Sequence, residues 1–92
     1  MMVQVKYQAQ ARMAAGVACE SIQLADGCSV EAAVRQLAQR HGDLLGKHLL
    51  RADGRLSPFI LLFVDDRQVT QPDTLTLSDN DTLTILSPMA GG

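Results

Sequence analysis

Aromatic residues, cysteines and long apolar runs are all scarce in this sequence. Only 3% of its 92 residues are aromatic and none is tryptophan, so it lacks the stacking surfaces that bind single-stranded nucleic acid. The longest uninterrupted apolar run, 59–64, is far shorter than the roughly 20 residues that a membrane-spanning helix needs. The eight basic residues are outnumbered by ten acidic ones and are scattered along the chain, which argues against duplex binding. We therefore expect neither a nucleic acid nor a membrane as a partner.

The two cysteines, Cys19 and Cys28, match no zinc-ligand spacing, and we expect no metal site. The first residues lack the apolar stretch of a signal peptide, so we expect a cytoplasmic protein with reduced thiols. Cys28 precedes a predicted helix, where the pKa of a thiol can fall. Because no histidine stands beside either cysteine in sequence, we expect neither thiol to be functional. His41 at a helix end and His48 in a polar loop receive no chemical role.

The apolar content of 47% is aliphatic and suffices for one small core, so the chain forms a single domain. Alternating apolar residues predict a strand over 2–8 and an antiparallel second strand with Ile22 and Leu24 inward. Ser29 can cap a helix over 29–41, whose apolar residues recur on one face and which Gly42 ends.

The second half of the chain alternates ambiguous and strand-like segments. Residues 43–57 predict a short irregular helix followed by a turn, and strands follow over 59–64, 68–70 and 82–86. Strands on both sides of one main helix predict an α+β domain of the β-grasp kind over residues 1–86. Its mixed sheet has four to five strands, with the first and last strands central and the helix on one face.

The final six residues, 87–92, predict a flexible tail. Pro88 biases its neighbours towards an extended backbone, and Gly91 and Gly92 carry no side chains. Extended, such a tail reaches about 20 Å, enough to place a terminal carboxylate inside a partner's cleft. A merely frayed end is the alternative interpretation.

These features together resemble the MoaD/ThiS family of ubiquitin-like sulfur carrier proteins. The likeness covers nearly the whole chain, and two departures are Ser87, where many relatives carry proline, and Asn80, where the turn usually has glycine. The segments that carry it are 7–12 with Gly16, 26–30, 59–67 and 79–92.

The resemblance implies that the C-terminal residues Gly91 and Gly92 perform the chemistry. An E1-like adenylating enzyme that binds ATP would activate the Gly92 carboxylate, and the sulfur of a persulfide donor would displace AMP to leave a thiocarboxylate. A larger catalytic subunit or another sulfur-accepting enzyme would then take the sulfur. The chain itself would be a carrier rather than an enzyme, with no bound cofactor.

Alternation in the third strand also predicts a docking surface on the sheet face opposite the helix. Ile60, Leu62 and Val64 would point to the core, and the residues between them outward. The alternative is that loop 43–57 folds over this surface. The predicted partner-binding residues are Phe59, Leu61, Phe63, Leu86, Pro88, Met89, Ala90 and Arg12.

The sequence leaves the pathway open. Segment 9–12 resembles the small subunit of molybdopterin synthase, which is the interpretation we favour, whereas loop 53–59 resembles carriers that serve cysteine synthesis. The sequence is also compatible with a carrier for thiazole or another thiolated metabolite, with a ubiquitin-like modifier joined to lysines through Gly92, and with an interaction domain that has an inert tail.

Overall fold

The computed structural model describes residues 1–88, and the predicted tail residues 89–92 lie outside that range. Five strands and three helices follow one another along the described chain. Their bounds are β1 (Met2–Ala9), α1 (Gln10–Ala15), β2 (Cys19–Gln23), α2 (Val30–His41), α3 (Asp43–Leu49), β3 (Leu61–Val64), β4 (Arg67–Gln68) and β5 (Thr82–Ser87).

The five strands form one mixed sheet in the order β2-β1-β5-β3-β4. β1 and β5 pair in parallel, and the other neighbours pair antiparallel. The two central strands carry fully buried aliphatic side chains such as Val5 and Ile85, which lie opposite the core helix. The predicted central position of the first and last strands and the predicted β-grasp arrangement are confirmed.

Helix α2 packs against one face of the sheet, as its apolar spacing predicts. The Ser29 hydroxyl accepts a hydrogen bond from the Ala32 amide at 3.1 Å, so the predicted N-cap is confirmed. The loop carbonyls of Leu75 and Pro72 accept hydrogen bonds from the first two backbone amides of the helix. Its core-facing stripe comprises Val30, Ala33, Val34, Leu37 and Ala38, which are all buried.

Segment 43–57 also packs on the helical side of the sheet. It begins with α3, whose Leu45 and Leu49 are completely buried in the core. A turn around Gly54 follows, with a φ of 85° that favours glycine. The predicted short helix and turn are confirmed, and α3 packs against α1 and α2 rather than over the outer face of the sheet.

Several local features differ from the sequence prediction. The short strand expected over 68–70 is β4 at Arg67–Gln68, and β1 continues one residue beyond 8 to Ala9. The segment between the first two strands, for which the sequence predicted no element, contains the helix α1, which buries Ala11. β3 begins at Leu61 rather than at position 59, because Phe59 lies in the preceding turn, where its amide donates to the Ser57 hydroxyl. β5 continues one residue beyond Leu86 to the buried Ser87, which the sequence placed in the tail.

The longest helix of residues 1–88, α2, has 12 residues, and no helix in that range combines the length and apolarity needed to cross a bilayer.

Candidate functional site

The outer face of the sheet, opposite α2, carries the predicted docking surface. In β3 the side chains of Leu62 and Val64 are 5% and 4% exposed and face the core, whereas Leu61 is 37% exposed on the other side. Ile60, just before the strand, is also buried. The predicted alternation of this segment is therefore confirmed.

Strand pairing brings the outward apolar side chains together. Leu61 lies directly opposite Leu86 in the antiparallel β3–β5 pair, and Phe63 lies one outward position further along β3. Directly opposed residues share a face of the sheet, so these three side chains form an apolar patch, here defined as Leu61, Phe63 and Leu86. Phe59, 77% exposed in the turn before β3, precedes the patch along the chain.

The other end of the same face is polar and charged. An open cavity of 590 Å³ lies there, between the start of β5 and the β3–β4 turn. Its lining residues are Lys6, Gln8, Phe63, Asp65, Asp66, Thr82 and Thr84. A protein surface that docks here therefore meets apolar groups near the end of β5 and charges of both signs near its beginning.

The point at which the tail leaves the sheet is fixed by the parallel pairing of β1 with β5. The last paired residues are Ala9 and Ser87, and exposed Pro88 follows. Ala9 has a φ of 57° and a ψ of −130°, a conformation that is strained for a residue with a Cβ. This turn directs the chain out of β1 into α1, which contacts β5 and carries the exposed Arg12.

The structure thus brings Leu61, Phe63 and Leu86 together and places Pro88 at the tail exit. Arg12 is exposed on α1, a helix that contacts β5. Phe59 is exposed but outside the strand. Predicted site residues Met89, Ala90, Gly91 and Gly92 lie outside the described residues.

Sequence analysis missed a polar cluster between the sheet and α2, centred on Glu20. The Tyr7 hydroxyl donates to Glu20 Oε2 at 2.6 Å, His41 Nε2 donates to the same oxygen, and Arg40 Nε lies 3.3 Å from Oε1. Glu20 lies opposite Val5 and so points to the core side of the sheet, with its side chain only 14% exposed. The signal was present in the sequence, since Glu20 shares the inward parity of Ile22 in β2.

The cluster shifts the pKa values of two of its members. Burial acts to raise the pKa of Glu20, but the hydrogen bonds from Tyr7 and His41, together with the charges of His41 and Arg40, outweigh it and lower that pKa overall. The pKa of Tyr7 is raised, first by burial and then by the bond to Glu20 and its charge. The Glu20 carboxylate is therefore held ionised against α2.

The cysteines are free, with Cys19 exposed and Cys28 half-buried. Burial raises the pKa of the Cys28 thiol, so the lowering that a helix N-terminus suggested is wrong. Among residues 1–88 no three histidine, cysteine, aspartate or glutamate side chains are grouped as metal ligands. The departure at Asn80 is accommodated by a turn in which this residue has a φ of 69°, which asparagine tolerates.

Comparison with known proteins gives both a family and a fold. The model of the ThiS family matches residues 5–92. SAMP1 from Haloferax volcanii superposes with a TM-score of 0.86 at 20% identity over 100% of both chains. A putative molybdopterin converting factor, subunit 1, from Pyrococcus furiosus gives 0.75 at 26% identity over 97% of this chain and 99% of the other.

A chain of the BexX/CysO complex of Amycolatopsis orientalis gives a TM-score of 0.67 at 27% identity, over 98% of this chain and 99% of that one. No curated protein matches the chain significantly. The solved structures are ubiquitin-like proteins and agree with the β-grasp topology described above.

Proposed function

The chain belongs to the ThiS family of ubiquitin-like sulfur carriers, and on that basis we propose that it carries sulfur as a thiocarboxylate on Gly92. The observation that carries this proposal is the family match, which continues through position 92 and so includes the Gly-Gly sequence. Glycine suits the role because a backbone without side chains can enter a narrow active-site channel.

The chemistry begins with a carboxylate, which is a poor acyl donor. An E1-like adenylating enzyme binds ATP, a carboxylate oxygen of Gly92 attacks the α-phosphorus, and pyrophosphate leaves. The terminal sulfur of a persulfide donor attacks the resulting acyl-adenylate and AMP leaves. A second thiol then cleaves the sulfur–sulfur bond, so that the thiocarboxylate is released and the donor and thiol end as a disulfide. The nucleotide belongs to the partner, and this chain supplies the carboxylate and the docking surface.

The geometry around the tail exit supports a chain that supplies the carboxylate and the docking surface. β5 is held on both sides by β1 and β3, so the tail leaves from the centre of the sheet. The apolar patch lies close to the point where the tail leaves the sheet, because Leu86 is the penultimate residue of β5. A partner that binds the patch therefore receives the tail at a defined place. We propose that the adenylating enzyme and the sulfur acceptor both dock here.

We propose molybdopterin synthesis as the pathway, with the chain as the small subunit of the synthase. The segment around Arg12 supports this choice, as does the likeness to the Pyrococcus furiosus protein. The likeness to a chain of the BexX/CysO complex supports carriage of sulfur to another thiolated metabolite as the second candidate. Purified thiocarboxylated chain, incubated with a pterin precursor and the large synthase subunit or with a cysteine-forming enzyme, distinguishes the two by which product appears.

The carrier chemistry is tested by the intact mass of the full chain isolated from cells that contain the activating enzyme. We expect a mass gain equal to the exchange of one oxygen for sulfur, and we expect deletion of Gly92 to abolish it while the circular dichroism spectrum stays unchanged. A variant with both Cys19→Ser and Cys28→Ser is the matched control, and it should load fully.

Loading that disappears in the cysteine-free variant would contradict the proposal, because the sulfur would then reside on a thiol. Loading that persists without Gly92 would contradict it equally. Larger adducts that yield a Gly-Gly remnant on the lysines of other proteins would instead identify the chain as a modifier.

A further inference from the structure

Strand β2 forms one edge of the sheet, with β1 on one side and no strand of the described chain on the other. Its counterpart at the opposite edge, β4, has only two residues, whereas β2 has five. An edge strand of this length exposes a row of backbone donors and acceptors that can pair with another strand.

The alternation of backbone hydrogen bonds along β2 identifies which of its residues direct their N–H and C=O groups to the open edge. Met1 and Leu24 exchange both of their backbone hydrogen bonds, and the Tyr7 amide donates to the Ala18 carbonyl. Because such pairs alternate along an antiparallel ladder, Ile22 and Glu20 direct their backbone groups to β1. The intervening residues Cys19, Ser21 and Gln23 direct theirs to the open edge. The amide of Gln4, opposite Ser21, agrees with this parity, since it turns away to the Asp81 carbonyl.

The side chains of this edge do not block pairing. Natural edge strands are commonly protected by a charged side chain, directed outward or inward, or by a proline. In β2 the outer-face side chains, Cys19, Ser21 and Gln23, are all neutral. The single charged residue of the strand is Glu20, which points inward. Its carboxylate already accepts hydrogen bonds from Tyr7 and His41, so strand pairing at the edge would leave no unpartnered charge.

We propose that a second copy of this chain pairs with β2, antiparallel, about a twofold axis at Ser21. The three edge-facing residues are symmetric about Ser21, so Ser21 meets its own twin and Cys19 meets Gln23. Each edge N–H then donates to a carbonyl of the other copy. The Gln23 carbonyl can accept this bond because it has a second lone pair beyond the one that accepts from the Gln36 side chain. A contact in which the same surface of both copies meets itself is isologous, as in most homodimers.

The pairing joins two sheets into one of ten strands and leaves the apolar patch and the tail exit free, because both lie at least one strand away from β2. The twofold axis reverses the strand direction, so the two tails leave at opposite ends and each can enter its own partner. The contact involves two five-residue strands, which is small for an interface, so the dimer forms reversibly and at high protein concentration.

Disulfide trapping tests the register. In the full chain with Cys19→Ser and Cys28→Ser, the further change Ser21→Cys places two thiols on residues whose Cα atoms are about 5.5 Å apart, which a disulfide spans. The matched control in the same background is Gln23→Cys, whose twin is about 13 Å away along the strands. We expect mild oxidation to convert Ser21→Cys to covalent dimer at least several-fold faster than Gln23→Cys. Equal rates, or a faster control, would overturn the proposal.

Amide NMR shifts of the unaltered chain, measured over a concentration series, provide an independent readout. We expect concentration-dependent shifts at Cys19, Ser21 and Gln23, with much smaller ones at Glu20 and Ile22. The variant Ser21→Lys, which sets like charges opposite each other, should reduce the association several-fold, whereas Gln4→Lys on the adjacent strand should not. A chain that stays monomeric throughout, or shifts centred on Leu61 and Leu86, would refute pairing through β2.

Discussion

Replacing Glu20 by glutamine removes the charge of the carboxylate that Tyr7, His41 and Arg40 contact, while it nearly preserves the shape of the side chain. A hydrogen bond to a charged group contributes roughly 1.5–3 kcal/mol, and a glutamine can present only one acceptor oxygen to three donors. The side chain is 14% exposed, so water compensates little. We therefore expect Glu20→Gln to lower the free energy of unfolding by about 1.5–3 kcal/mol at neutral pH.

The effect should depend on pH with a definite sign. The pKa of Glu20 is lower in the folded chain than its ordinary value of 4.5, so the folded state favours the ionised form. A depressed folded-state pKa contributes stability that is fully present above 4.5 and is lost as the pH falls through the folded-state value. The difference between the unaltered chain and Glu20→Gln should thus shrink as the pH falls below 4.5.

Urea unfolding followed by circular dichroism, repeated from neutral to acidic pH, measures this difference. Glu31→Gln is the matched control: Glu31 pairs with Arg35 one helical turn away on the exposed side of α2, and such pairs contribute about 0.3–0.5 kcal/mol. Equal destabilisation by the two substitutions, or a Glu20→Gln effect that persists undiminished in acid, would refute the assignment of Glu20 as an ionised, internally paired group.

Three further expectations concern the docking face, the strained turn and a thiol. Leu61→Asp should weaken capture by the activating enzyme while the domain stays folded, whereas Leu62→Asp should unfold it; the reverse order in thermal melts would place the strand in the wrong register. Ala9→Gly should raise the free energy of unfolding by about 0.5–1 kcal/mol, because glycine releases the backbone strain at this position. Ala14→Gly inside α1 should instead lower the free energy of unfolding by a similar amount. If both substitutions lower the free energy of unfolding, Ala9 is not strained. Iodoacetamide should alkylate Cys28 more slowly than a cysteine in an unstructured peptide, because burial raises the pKa of this thiol; equal rates would contradict the burial.

Sequence patterns predicted the fold where one periodicity dominated. The alternation of β1 and of Leu62 with Val64, and the apolar stripe of α2, each follow from burial of one face, and the structure has them as predicted. The helix α1 was not predicted because it has only six residues and starts at a strained Ala9, with no side-chain cap to mark it. Short helices are stabilised by packing more than by local sequence.

The candidate site was predictable only in part, and for a related reason. Outward parity in β3 indicates Leu61 and Phe63, but the position of Leu86 beside them depends on the register between strands that are about twenty residues apart. The Glu20 cluster unites residues from β1, β2 and the end of α2, so no local pattern could assemble it. A charged residue with inward strand parity was the one local signal, and it indicates a buried partner rather than a solvated face.

The parallel pairing of β1 and β5 connects the fold to the proposed chemistry. Sliding β5 by one residue would turn Leu83 and Ile85 out of the core and bury Leu86, so the buried residues fix the register and thereby the exit of the tail beyond Ser87. Because Gly92 has no side chain, recognition must come from surfaces upstream of it, and the apolar patch is held in place by that same register. The core of the sheet therefore fixes the positions of the apolar patch and of the tail exit, although it takes no part in the proposed reaction itself.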